Sequence, residues 1–422
     1  MTTPTRWALP AILSAQLVIP LSIAGTAVAL PNIAADLGSS PGPLQWVVNG
    51  FNVAFALCTL LWGGFADRAG HHRVFRAGVV IVLSASIASA LAPTLVLLDG
   101  ARLVAGAGAA AVLTSATSIL SLAWEGAARA RAFALFGTIN GLGLALGPTL
   151  CGLVAQAFGW RAAFWLPAMV LAVSLALSRG IPTVHVAHDG AHHLLDVSLL
   201  TNRGFAAMTL VPITASVGFV TFLTYLPAAF SAIHGWNAGQ AGVMMLVATL
   251  PVILSPSAAV SVMKRHQIGI GPVLATSIGC LTAGSVAMLA LAPGNSVWAV
   301  VPALALIGLG FGLPLGVVDG EALARVPSHS SGSAAGLLNF ARIGSEALSV
   351  ACYSALLTIL VRRRIPDPTI ADQVAAGAPI RAADYASALH VVALSCGVVV
   401  LVLGFAIWAL SRGTSNSGEA ES

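Results

Sequence analysis

Twelve stretches of mostly apolar residues, each near the length that crosses a bilayer, follow one another along this chain. They run 8–31, 45–63, 75–93, 96–123, 132–155, 161–178, 204–229, 238–262, 269–292, 297–318, 333–361 and 387–410. A spanning helix needs about 20 such residues. Composition closes off a soluble alternative: 58% of residues are hydrophobic and 8% charged, where a soluble domain carries about 25% charged residues. A soluble helical protein would also need a polar face on every helix, and most of these stretches have none. Gly (43) and Pro (22) are plentiful, as helices in lipid tolerate. The expected fold is all-α and integral to the membrane, with twelve transmembrane helices.

The stretches divide six and six around the longest polar segment, 179–203, which contains HVAHDGAHH. This predicts an N-terminal six-helix bundle over 1–178, a cytoplasmic loop over 179–203 and a C-terminal six-helix bundle over 204–411. The tail 412–422, ending GTSNSGEAES, is disordered by composition. Ala27-Val28-Ala29 resembles a signal-peptidase site, but the apolar stretch before it is too long for an ordinary signal peptide. We read an uncleaved first helix.

Positive residues stay on the cytoplasmic side. With the N-terminus inside, inner loops and ends carry twelve cations (Arg6, Arg68, Arg73, Arg76, Arg129, Arg131, Arg179, Arg203, Lys264, Arg265, Arg325 and Arg412). Outer loops carry five: Arg161, Arg362, Arg363, Arg364 and Arg381. Both termini are therefore expected in the cytoplasm. Arg102 and Arg342 remain inside helices. The five cysteines all lie in apolar stretches, odd in number and widely spaced, which indicates neither a disulfide framework nor a metal cluster. Neither a basic helix nor a nucleotide-binding loop occurs, so nucleic acid and ATP are not expected partners. One Lys against eighteen Arg, with abundant Ala and Gly, is the composition of a high-GC bacterium.

Between the second and third stretches stands GGFADRAGHHRVF, residues 63–75. It resembles the signature loop of the major facilitator superfamily, G-x-L-A-D-R-x-G-R-R/K, with Gly63, Ala66, Asp67, Arg68, Gly70 and Arg73 in register. A tight hairpin needs glycine, and an Asp beside an Arg can reach the positive N-terminal end of a facing helix. A generic positive-inside loop is the plainer alternative. His71 and His72 stand where the family has a basic pair. In the fourth stretch Arg102, Gly106 and Gly108 resemble the superfamily's R-x-x-x-G-x-G. An arginine in lipid is costly and should face a wet cavity or an acid. Asp99, one turn away, is the simplest candidate to neutralise it.

The fifth stretch carries GTINGLGLALGPTLCG. Gly143, Gly147, Pro148 and Gly152 resemble the antiporter signature of the superfamily's exporters, with Cys151 replacing the first closing glycine. Glycines four apart let helices approach closely, and Pro148 removes a backbone donor; plain helix packing would serve as well. LQWVVNGFNVAFAL, GTAVALPNIAADL and GSAAGLLNFARIGSEAL resemble segments of the drug:proton antiporter branch. The branch's usual acid in the first helix is Ala24 here.

The resemblance implies a monomeric secondary transporter of the cell membrane, not an enzyme. Its implied work is proton-coupled efflux of small amphipathic compounds by alternating access, with no cofactor beyond the proton gradient. A solute importer and a membrane-embedded sensor or enzyme are the alternatives. Asn52, Asn140, Phe222, Tyr225, Met245 and Asn339 are candidates to line the substrate cavity, or simply to pack. Glu346 follows Arg342 by four residues, about 20 Å along its helix from Gly332. It reads as the one acid near mid-bilayer, with Asp99, Asp319 and Glu321 near helix ends. Intramembrane ionisable residues are functional by default, so Glu346 is the expected proton carrier, with Arg342 tuning it and Arg102 assisting. The plainer reading is a neutralising pair within one helix.

Overall fold

The computed structural model describes residues 6–37, 41–181, 197–236, 238–375 and 377–412; within these, the side chains of a few helical residues are also left undescribed. The histidine-rich segment of the central loop and the C-terminal tail lie outside these residues. Every regular element among them is helical. Ten helical segments are long and apolar enough to cross a membrane. Helix α1 (Ala8–Leu37) and the 33-residue α5 (Gly126–Phe158) bring the crossings to the expected twelve.

The chain forms two compact units: Met1–Phe205 with Gly316–Ile343, and Ala206–Leu315 with Gly344–Ser422. In the first unit α1 packs on α5, while α4 (Leu95–Ala123) packs on α2 (Pro41–Ala69) and α3 (His71–Ala90). Small residues permit this, as expected where lipid offers no hydrophobic drive between helices. A Cβ on Gly106 would strike the Phe51 carbonyl of α2, and one on Gly78 would stand 2.8 Å from Ala111 Cβ of α4. The hydroxyls of Thr114, Thr117 and Ser118 donate back to carbonyls one turn earlier, so none is orphaned in the packed helix. Thr94 caps the α4 N-terminus, its hydroxyl accepting the Leu97 N–H.

The structure redraws the signature segment between α2 and α3. Residues 63–69 continue α2, and the loop shrinks to Gly70, whose φ is +92°. That conformation favours glycine, so Gly70 makes the turn. Gly63 has a different task, described below.

In the second unit the seventh span is not one helix. Helix α7 (Arg203–Ala215) passes through a π-helical turn, Ser216–Val220, into α8 (Thr221–His234). Pro212 removes one backbone donor, and Ser216 Oγ donates to the Pro212 carbonyl at 2.8 Å. Helices α9 (Ala238–His266), α10 (Ile270–Ala287) and α11 (Val301–Gly312) pack through Gly308, Gly310 and Gly284. The tenth span breaks after α11 and resumes as α12 (Val317–Leu323) at Gly316, φ +79°. A side chain there would collide with the Phe133 carbonyl of α5. Helix α13 (Ser331–Arg362) and α15 (Ala382–Arg412) are the last crossings. Between them lies the short α14 (Pro368–Ala375), which the sequence reading does not anticipate.

Candidate functional site

Asp67, near the C-terminal end of α2, is buried and reaches the first turn of α13. Gly332 donates its backbone N–H to Oδ1 at 2.7 Å, and Ser333 donates to Oδ2 at 2.8 Å. Both are among the N–H groups a helix start leaves without intrahelical partners, and the helix dipole favours a carboxylate there. Gly63, one turn earlier in α2, lies against Gly332 backbone to backbone: a Cβ on either would strike the other's carbonyl oxygen. The expected contact of Asp67 with a facing helix N-terminus is thus present, and Gly63 supplies the closeness. His71 Nε2 lies 3.6 Å from Asp67 Oδ1. Arg68 and Arg73 are exposed.

Arg102 is fully buried, yet its partner is not Asp99. Its Nε donates to the Val47 carbonyl at 2.9 Å, Nη1 to Ser22 Oγ at 3.0 Å and Nη2 to the Ser22 carbonyl at 3.4 Å. Its guanidinium also lies over the rings of Phe51 (4.4 Å) and Phe164 (5.8 Å). Asp99 Oδ1 is buried without a hydrogen-bond partner among the described residues. The expectation of an Arg102–Asp99 pair fails because the arginine extends toward α1 and α2. Ring faces and lone pairs there take the place of a counter-ion.

Arg342 holds the second departure. Its Nη2 forms an ion pair with Asp319 Oδ1 of α12, and its Nη1 donates to Asn339 Oδ1 at 3.2 Å. The Asp319 side chain is 2% exposed and that of Arg342 15%. Asp319 is expected near a helix end, away from mid-bilayer. It does open α12, but the break at Gly316 turns it inward. Glu346, one turn beyond Arg342 on α13, is half-buried. The antiporter-like glycines behave as packing predicts: a Cβ on Gly143 would meet Pro20 Cγ at 2.6 Å and the Leu17 carbonyl at 2.8 Å. Gly147 is buried and Gly152 half-buried. Pro148 lies within α5, with its side chain outside the description.

The candidate cavity residues separate. Asn140 accepts from Gln16 Nε2 at 2.8 Å, holding α5 to α1, and Asn52 is half-buried. Phe222 and Met245 are buried. Tyr225 stacks on Tyr353 with centroids 4.7 Å apart, and Phe222 meets Tyr353 edge-on at 6.1 Å. Sequence reading set Asp319 aside as near a helix end and did not single out Ser22, Tyr353 or Tyr385. The nearest signal was Asp319 itself, an acid just past an apolar stretch.

The site thus joins a carboxylate-capped helix start to a fully buried arginine in a helical membrane fold. Residues 12–350 match the family model of the Major Facilitator Superfamily. The chain belongs to that family: it is a multi-pass membrane transporter, not an enzyme. Among its relatives is the "Puromycin resistance protein pur8" of Streptomyces alboniger, 27% identical over 414 residues, covering 84% of this chain and 82% of that protein. The "Multidrug resistance protein Stp" of Mycobacterium tuberculosis is 27% identical over 410 residues, covering 81% and 75%. Among solved structures, a bacterial homologue of the iron transporter ferroportin in an outward-facing state aligns with TM-score 0.73 at 14% identity. It covers 97% of this chain and all of that one, and it bears on the fold alone.

Proposed function

We propose that this protein exports small amphipathic compounds, drugs or metabolites, from a bacterial cytoplasm in exchange for protons. The family membership, the resistance-named relatives and the antiporter-like glycines of α5 support export. Transport proceeds by alternating access, in a monomer with both termini in the cytoplasm and no cofactor beyond the proton gradient. Asp67 gates the cycle, since its bonds to Gly332 and Ser333 hold one state until they break. Arg68, Gly70 and Arg73 complete the gate.

The observation that carries proton coupling is Arg342, a cation in an apolar helix with Asp319 against it and Glu346 one turn on. An ion pair in a low-dielectric setting is sensitive to the charge of its carboxylate. Protonating Glu346 removes a negative charge one helical turn from Arg342 and so alters the guanidinium's hold on Asp319. Glu346 is the proposed proton carrier and Arg342 tunes it, while Arg102 props the N-terminal helices. The test uses everted vesicles with a pH-sensitive dye. Wild type should release protons when a substrate drug is added, whereas Glu346→Gln should bind the drug without moving protons. Normal proton release by Glu346→Gln removes it as carrier, and Asp319→Asn then identifies the remaining carboxyl. A protein that moves no protons in any form would sink the coupling altogether.

A further inference from the structure

The chain contains only three tyrosines against fifteen phenylalanines, and all three come together in the second unit. Tyr225 of α8 stacks flat on Tyr353 of α13, interplanar angle 4°, with Phe222 edge-on. Tyr385 of α15 lies within electrostatic reach of both Tyr353 and Tyr225. Tyr353 is 2% exposed and Tyr385 0%. Neither phenolic oxygen has a hydrogen-bond partner among the described residues.

Phenylalanine would fill both places without this defect. Buried polar groups are almost always hydrogen-bonded, and each exception asks for a reason. A hydroxyl buried unpaired loses its hydration with nothing in exchange. Two such defects sit in one aromatic cluster, on two different helices, in a chain that elsewhere packs with phenylalanine. Tyr225, at the head of the cluster, is only half-buried, and the π-helical turn at Ser216–Val220 runs directly into its helix. Such turns occur frequently at functional sites, and this one gives α8 an irregular start beside the rings.

We propose that this cluster is a substrate subsite for planar, uncharged aromatic rings that bear carbonyl oxygens. Such a ring stacks against the tyrosine faces, with offset stacking at the spacing Tyr225 and Tyr353 already show. Its carbonyl oxygen accepts from the phenol of Tyr353 or Tyr385, which are donors as well as acceptors. Aromatic faces and phenols make up the cluster, so the subsite favours neutral ring systems. This deepens the efflux reading and rests on it for the site's purpose, although binding itself needs no gradient.

The experiment uses the full-length protein in lipid nanodiscs, with 9-fluorenone and its carbonyl-free counterpart fluorene as probes. Wild type should bind fluorenone more tightly than fluorene. Tyr353→Phe and Tyr385→Phe should each weaken fluorenone binding by about 2- to 10-fold, the net worth of one hydrogen bond, and leave fluorene unchanged. Without ligand, both variants should melt at or above the wild-type midpoint, because an unpaired hydroxyl has been removed. Equal losses for both probes would reveal a packing role and overturn the subsite. Lowered midpoints without ligand would also overturn it, since the hydroxyls would then already be satisfied. Fluorenone binding that depends on the tyrosines, with no efflux of the same compound from cells, would leave the subsite standing and defeat the export reading instead.

Discussion

Replacing Asp67 by Asn perturbs one contact whose geometry is known. The carboxylate accepts from two backbone N–H groups at the start of α13, at 2.7 and 2.8 Å, in a buried setting. Hydrogen bonds to a charged group are worth about 1.5–3 kcal/mol each, and the helix terminus adds about 0.3–1 kcal/mol. Asparagine keeps the shape and one acceptor but loses the charge and turns an N–H toward a second donor. The state that makes these bonds should lose about 2–4 kcal/mol, a shift of about 30- to 1,000-fold at 1.4 kcal/mol per factor of ten. Hydrogen exchange in nanodiscs reads this directly. The amides of Gly332 and Ser333 should exchange faster by about that factor, while the middle of α4 stays protected. Export in vesicles should slow with the protein still inserted and folded. Gly63→Ala supplies an independent check, because its Cβ would strike the Gly332 carbonyl and open the same contact without touching charge. Unchanged exchange at Gly332 and Ser333 in Asp67→Asn, with normal export, would refute the gating role of this contact.

Three further outcomes follow from the same geometry. Because Asp99 is not a partner of Arg102, thermal unfolding of Arg102→Ala, Asp99→Asn and the double variant should show additivity within about 0.5 kcal/mol; a larger coupling would restore the pair. Asp319→Asn takes the carboxylate from an ion pair whose acid is 2% exposed and should destabilise by about 1–3 kcal/mol. Arg342→Gln added to it should recover most of that loss in melting temperature, and a double variant no better than the single would contradict the pair. At the C-terminal end of α1, Asp36 accepts from Arg161 at 2.5 Å and from Trp160 Nε1 at 3.0 Å. The Arg161 hydrogen bond, then that of Trp160, holds its carboxyl below the ordinary value of 3.8. The contribution is therefore complete above pH 3.8 and fades as pH falls through the lowered value. Asp36→Asn should remove that part of the acid dependence in melting curves.

The sequence by itself determined what the solvent dictates. Lipid demands long apolar helices, so their number follows from hydropathy, and Gly106, Gly143 and Asp67 carry a family pattern that survives as local spacing. That a glycine makes the turn between the second and third helices was legible, because only backbone freedom is at stake; that it is Gly70 was decided by the structure. Tertiary structure decided which charges meet, because partners far apart in sequence leave no periodic trace. Arg102 passes over Asp99, three residues away, for Ser22 and Val47, a choice made by the approach of α1 and α2. Asp319, set aside as terminal, becomes the partner of Arg342 because Gly316 breaks the tenth span and turns α12 inward. The three tyrosines, at 225, 353 and 385, become neighbours only when α8, α13 and α15 fold together. Burial and pairing are properties of the assembled helices, and no local stretch of residues encodes them.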